Sequence, residues 1–202
     1  DATRPLAPKT VYEVHLVIRG ALEYALRRGL VSRNVALAAS APKQRAIPQV
    51  ERTAWTPAEL HAFLRAAAGH RLFPALWLSA NTGLRRSELL GLKWSDLDTD
   101  HSRRCVELDP TTLRVLARWR AMQAAEFTAV GIEDPGWMFT SPSGGPVHPH
   151  SISQTFDRIV RRAPVRVIPF HGLRHTHGSL LIANGIDSKV ACERLGHSEF
   201  TF

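Results

Sequence analysis

From Trp55 onward, apolar residues return at intervals of three and four in one segment after another, and glycine or proline punctuates the runs. That period belongs to one face of an α-helix and conflicts with the two-residue alternation of a half-buried strand. The chain is thereby confined to a mainly helical fold of the α+β kind, with room for short strands. Thr56, Pro57 and Glu59 form a capping box with proline at the first helical position, and Leu60, Phe63, Leu64 and Ala67 give that helix its buried face. Leu72, Leu76, Trp77 and Ala80 make a second stripe, closed by Gly83, and residues 87–94 read as a short buried helix. Asp109-Pro110 opens a helix marked by Val115, Trp119 and Met122, and Ile152, Phe156 and Ile159 mark another. Trp77, Trp119 and Phe156 are expected in the core. Two stretches predict short strands: residues 103–108, with Val106 and Leu108 on one face, and Trp137-Met138-Phe139-Thr140, before the turn between Pro142 and Pro146.

The N-terminal region stands apart. Thr10 is positioned to cap a helix whose apolar residues Val11, Val14, Ile18, Leu22 and Ala25 share a face, with Arg19, Glu23 and Arg27 opposite and Gly29 as its stop. One helix with one apolar stripe cannot form a core, so the rest of its domain is expected upstream. The chain opens at Asp1 without an initiator methionine, which suits a piece of a longer protein. Residues 38–53 are rich in Ala, Pro, Gln and Arg and lack periodicity, the composition of a basic linker. The expected division is the end of a helical domain over 1–37, the linker over 38–53 and a second domain over 54–202, with the boundary near Val50.

Charge narrows the partner class. The 202 residues carry a net charge of +8, and 22 of the 26 basic residues are arginine. Arginine presents a planar fork of donors that fits phosphate oxygens two at a time. Nucleic acid is therefore the expected partner. No apolar run approaches the ~18 residues needed to span a bilayer, and the N-terminus shows no signal-peptide pattern. Cys105 and Cys192 stand alone, so neither a disulfide framework nor a CxxC metal site can be argued. A reducing, cytoplasmic location is the expectation.

Three stretches carry chemistry: Thr82-Gly83-Leu84-Arg85-Arg86-Ser87-Glu88-Leu89, His171-Gly172-Leu173-Arg174-His175-Thr176-His177 and Leu195-Gly196-His197. Gly83 breaks one helix where Arg85 begins the next, so a guanidinium and free helix N–H groups can face one anion. His171 and Arg174 are three apart on a predicted helix and share a face. Gly196 ends a helix and leaves His197 on the turn. Two arginines and two histidines from separate segments can cradle one phosphoryl group. Lys9, Arg19, Arg27, Arg28, Lys43, Arg45 and Arg86 are further candidate contacts to a phosphate backbone.

Together these stretches resemble the tyrosine recombinase (phage integrase) family. TGLRRSELLGLKWSDLD is similar to the family's first arginine box, and HGLRHTHGSLLIANG followed by ERLGHS to its second. The likeness runs from about Trp55 to the end. The segment LAPKTVYEVHLVIRGALEYALRRGLVSRN resembles the last helix of the core-binding domain, with Val35 in place of a proline often found there. The resemblance implies that Arg85 is the first catalytic arginine and Glu88 the acid that supports it. It implies that His171 and Arg174 are the HxxR pair and that His197 is the third-position histidine. His175 is expected to pack or hydrogen-bond beside Arg174.

The implied reaction uses neither metal nor nucleotide cofactor. A tyrosine hydroxyl attacks a DNA phosphate, giving a 3′-phosphotyrosyl link and a free 5′-hydroxyl, and the reverse step rejoins the strands. Arg85 and Arg174 would clamp the non-bridging oxygens, His197 would donate a further hydrogen bond, and His171 would assist proton movement. The implied partners are double-stranded recombination sites, three further copies of the chain in a tetramer on DNA, and accessory DNA-bending factors.

Two departures bear on activity. The family's nucleophilic tyrosine follows the LGH histidine by about nine residues, near position 206, whereas Tyr12 and Tyr24 lie on the N-terminal helix. The family also carries a lysine on a small antiparallel sheet after the first box. Here TDHSRRCVEL fills that interval, and no lysine lies between Lys93 and Lys189. A hairpin is expected to be missing from this sequence, with residues 100–103 the junction. The 202 residues are accordingly expected to bind DNA without cleaving it. A catalytically inactive DNA-binding regulator is the alternative, and a metal-dependent nuclease using His171, His175 and His177 is a weaker one, since no acidic or cysteine ligand stands at useful spacing.

Overall fold

The computed structural model describes residues 5–42, 53–97 and 106–195. The chain divides into two compact units, Asp1–Glu51 and Arg52–Phe202. In the first, α1 spans Pro8–Arg27. It starts two residues before Thr10, because Pro8 occupies the first turn with its φ already fixed and needs no side-chain cap. Its end is a Schellman turn at Gly29 (φ 69°), with Leu30 N–H donating to Ala25 O and Gly29 N–H to Leu26 O. A short 3₁₀ turn, Val35–Ala38, follows, capped by Asn34. The Asn34 amide also reaches back to Arg19 O at 3.0 Å and to Glu23 Oε2. None of the α1 residues is buried, and Val14 and Ile18 are each about half exposed.

The second unit holds α2 (Pro57–Ala67), α3 (Phe73–Thr82), α4 (Arg86–Leu90), α5 (Pro110–Val130), α6 (Pro149–Val160), α7 (Gly172–Ala183) and α8 (Ser188–Leu195). The capping box at α2 forms in full, with Thr56 accepting from Glu59 N–H and Glu59 accepting from Thr56 N–H. The α3 helix is the centre of the unit and packs against α2, α4, α5 and α7. A helix so placed must be apolar or small on most sides, and Pro74, Ala75, Leu76, Leu78, Ser79, Ala80 and Thr82 are all buried. Trp77, expected in the core, is half-buried and donates its indole N–H to Thr112 Oγ1 at 2.9 Å. The α4 helix stops at Leu90, short of the run to Trp94, which instead enters a separate 3₁₀ turn, Trp94–Leu97.

An aromatic cluster joins the start of the unit to α2, α6 and the approach to α7. Trp55 and Phe63 lie 5.0 Å apart between ring centroids, Phe63 and Phe156 5.1 Å, and Phe156 and Phe170 5.5 Å. Polar contacts clasp the same region. Trp55 N–H donates to Thr176 Oγ1 at 3.0 Å and its indole N–H to Arg166 O at 2.7 Å. Arg166 pairs with Glu59 at 2.7 Å and donates to Ala54 O. That guanidinium, and next the Thr56 N–H, hold the Glu59 carboxyl well below the usual carboxylate range.

The expected strands are not found among the described residues, whose only β pairing is two isolated bridges, Lys93 to Trp137 and Thr140 to Pro146. Trp137, Met138 and Thr140 give their carbonyls to side-chain donors rather than to a neighbouring strand. Trp119 donates to Met138 O at 2.6 Å, Gln123 to Trp137 O at 3.2 Å, and Arg71 to Thr140 O. Residues 106–109 have no regular structure, and the start of the other expected strand lies outside the described residues, as does the expected junction at 100–103. The same polar work resets the inner face of α5. Thr112, Leu116, Trp119, Gln123 and Phe127 are buried, whereas Met122 is 43% exposed. Gln123 displaces it because its amide also takes Trp94 Nε1–H and Thr140 Oγ1. No described helix is long and apolar enough to cross a membrane.

Candidate active site

Gly83 ends α3 in the left-handed region, at φ 62°. Two residues later Arg85 stands at the N-cap of α4, and Glu88 grips it twice. One carboxylate oxygen accepts from Arg85 N–H at 2.8 Å and the other from its Nη1 at 2.8 Å. The carboxylate of Glu88 thus takes the position at the mouth of α4 that the sequence reading left to an anion. Arg86, the adjacent candidate DNA contact, donates instead to Ser153 Oγ on α6 at 2.7 Å.

His171 is the N-cap of α7 and is exposed, while Arg174 on the first turn is only 1% exposed. Their three-residue spacing brings both to one cavity, but at different depths. Arg174 donates through Nη1 to Gly83 O at 2.7 Å and through Nη2 to Leu195 O. One guanidinium therefore ties the C-cap of α3 to the last described residue of α8. The His171 ring meets His175 edge to face, 4.9 Å between centroids. A cavity of about 350 Å³ is lined by Leu84, Arg86, Ser153, Asp157, Pro169, Phe170, His171 and Arg174. Leu84 and Arg86 are the immediate neighbours of Arg85, so segments of both arginine-bearing stretches meet there.

Sequence reasoning missed the α6 wall of this cavity. Ser153 and Asp157 are one turn apart on the polar side of α6, opposite Ile152, Phe156 and Ile159. That i,i+4 spacing was the available signal, but nothing local says which polar face a cavity will adopt. His197 lies outside the described residues, as do Lys43 and Arg45. Lys9, Arg19, Arg27 and Arg28 lie on or just past α1 in the first unit, all exposed. There Lys9 pairs with Glu13 at 3.8 Å, and Arg28 sits over the Tyr24 ring. Among the described residues no group of three or more His, Cys, Asp or Glu is placed to hold a metal.

His177 turns away from the cavity and packs against the end of α3. Burial lowers its pKa to about 4, opposed by a hydrogen bond to the Ala80 backbone and reinforced by the charges of Arg194 and Arg174. The folded state thus keeps this imidazole neutral where an unfolded chain, near 6.5, protonates it. Stability supplied by neutral His177 is complete above pH 6.5 and is lost as pH falls towards 4. Between pH 7 and 5 this group should cost about 2 kcal/mol. Urea unfolding of the protein and of His177→Gln at both pH values checks this, the variant losing less by that amount. Equal losses in the two proteins would contradict the assignment.

Residues 55–201 match the family model described as the phage integrase family. The chain belongs to that family. A XerC-like tyrosine recombinase of Caldanaerobacter subterraneus is 25% identical over 96% of this chain and 60% of its own length. An integrase of Saccharopolyspora erythraea is 32% identical over 55% of this chain and 26% of its own. The chain thus spans less than two thirds of the length of each of these relatives. Among solved structures, the Tn1549 transposon integrase in complex with circular intermediate DNA superposes at a TM-score of 0.74 with 19% identity, covering 96% of this chain and 73% of that one. A lambda integrase dimer bound to a COC′ core site gives 0.68 with 20% identity, covering 92% and 71%. These establish the integrase fold for the helices described above.

Proposed function

We propose that this chain carries most of the catalytic domain of a site-specific DNA recombinase that cuts and rejoins strands through a 3′-phosphotyrosyl intermediate. The observation that carries the reading is the cavity in which His171 and the buried Arg174 meet beside the Glu88-held Arg85. In the reaction a tyrosine oxygen bonds to phosphorus, the bond to the 5′ oxygen breaks, and that oxygen leaves with a proton. Arg85 and Arg174 hold the non-bridging oxygens as charge builds on them, and His171 moves the proton at the nucleophile. His197 donates to the phosphoryl group.

The exposed basic residues of α1, together with Lys43, Arg45 and Arg86, follow the DNA backbone and make affinity salt-dependent. The working assembly is a tetramer on two duplex sites, with accessory bending factors at some of them, in the cytoplasm beside its DNA. The Tn1549 and lambda integrases, each solved in complex with DNA, support the choice of partner.

A nicked suicide substrate tests the reading. The full-length protein should form a covalent 3′ adduct with EDTA present, while residues 1–202 alone should shift the DNA on a native gel without forming one. No adduct from the full-length protein refutes the recombinase assignment. An adduct from the 202 residues refutes the placement of the nucleophile near position 206.

A further inference from the structure

Leu195 is the last described residue of α8, and contacts from the end of α3 and from α7 converge on it. Its side chain is 3% exposed. A Cβ built on Gly83 would stand 2.5 Å from Leu195 Cδ2, and one built on Gly178 would stand 2.9 Å from Cδ1. Each methyl therefore rests on a residue without a side chain, one at the end of α3 and one on α7. The carbonyl of the same leucine accepts from Arg174 Nη2, while Arg174 Nη1 donates to Gly83 O at 2.7 Å. Gly83 thus serves as seat for the leucine and as acceptor for the arginine.

We infer that Leu195 is a positioning residue for Arg174, its two methyls fixed by Gly83 and Gly178 so that its carbonyl sets the direction of the guanidinium. This rests on the recombinase reading above. A long arginine side chain carries many rotamers, and a buried one needs its donors met. Carbonyl acceptors fix a guanidinium without cancelling its charge, whereas a carboxylate would neutralise part of what a phosphate needs. The arrangement also couples two sequence boxes, since Gly83 at the end of α3 and the residue before Gly196-His197 share the Arg174 guanidinium. A reacting group displaced by about 1 Å can lose about 100-fold in rate.

Single-turnover cleavage of a suicide substrate by the full-length protein provides the test. Leu195→Ala should lower the rate at saturating DNA by about 100-fold and leave the Kd for DNA within about threefold, and Leu195→Met, which refills the space between the glycines, should recover most of the rate. If the alanine variant does not fold, Leu195→Val shortens the side chain by one carbon and should cleave about tenfold more slowly at unchanged Kd. Parental rates in the alanine and valine variants, a loss confined to Kd, or a methionine variant as slow as alanine would overturn the assignment alone. An unmodified protein that forms no adduct overturns the recombinase reading and this assignment with it.

Discussion

On the recombinase function proposed above, lysine in place of Arg174 should slow strand cleavage by the full-length protein about 1,000-fold while DNA affinity falls only a few-fold. An ammonium is a compact point charge and cannot reproduce a planar fork that reaches Gly83 O and Leu195 O together. Loss of one preorganised donor to a developing oxyanion costs about 100- to 1,000-fold, and here the donor's own anchor is lost with it. The fold should suffer as well, because a buried carbonyl left without its partner costs about 1–3 kcal/mol. Single-turnover cleavage at saturating DNA and a thermal melt separate the two effects. Cleavage within tenfold of the parent would remove Arg174 from the reacting group. Measured salt dependence should barely change, since the lysine keeps the charge.

Trp119→Ala should destabilise the second unit by about 3–5 kcal/mol, the range for emptying a buried aromatic site. Trp119 is 1% exposed and stacks with Phe139 at 6.4 Å between ring centroids. The Arg71 guanidinium lies 4.8 Å from its ring centre and at the same time pairs with Glu126 and donates to Thr140 O. Removing the indole therefore opens a cavity, leaves Met138 O with only its longer bond from the Gln123 amide at 3.4 Å, and loosens the cation that holds Thr140 O. Trp119→Phe keeps most of the volume and should cost about 1–2 kcal/mol. Urea unfolding of both variants is the measurement, and a loss below about 1 kcal/mol for the alanine variant would show that the site collapses freely.

Features built from neighbours in sequence were legible before any coordinates. Thr56 and Glu59, Asp109 with Pro110, and Gly83 and Gly29 as helix stops are local chemistry, decided within one turn of chain. The arginine-bearing stretches were legible too, because their residue types and spacing recur across a family. What escaped was long-range polar pairing. Residues 137–140 have strand composition, yet the carbonyls of Trp137, Met138 and Thr140 accept from Gln123, Trp119 and Arg71 at distant positions. The burial of Gln123 carries no local signal, because nothing near it in sequence names Trp94 and Thr140 as its partners. The depth of Arg174 was likewise hidden, since its acceptors lie 91 and 21 residues away.

The clasp at Trp55 sets a practical limit on how the second unit can be trimmed. Ala54 O, Trp55 N–H and the Trp55 indole are all held by residues more than a hundred positions later, two of the bonds by Arg166 and one by Thr176 on α7. A recombinant fragment starting at Thr56 would keep every described helix of the second unit and lose those three anchors, one of them two residues from Arg174. The shortest self-sufficient version of this domain therefore begins upstream of Ala54, inside what composition alone labels linker.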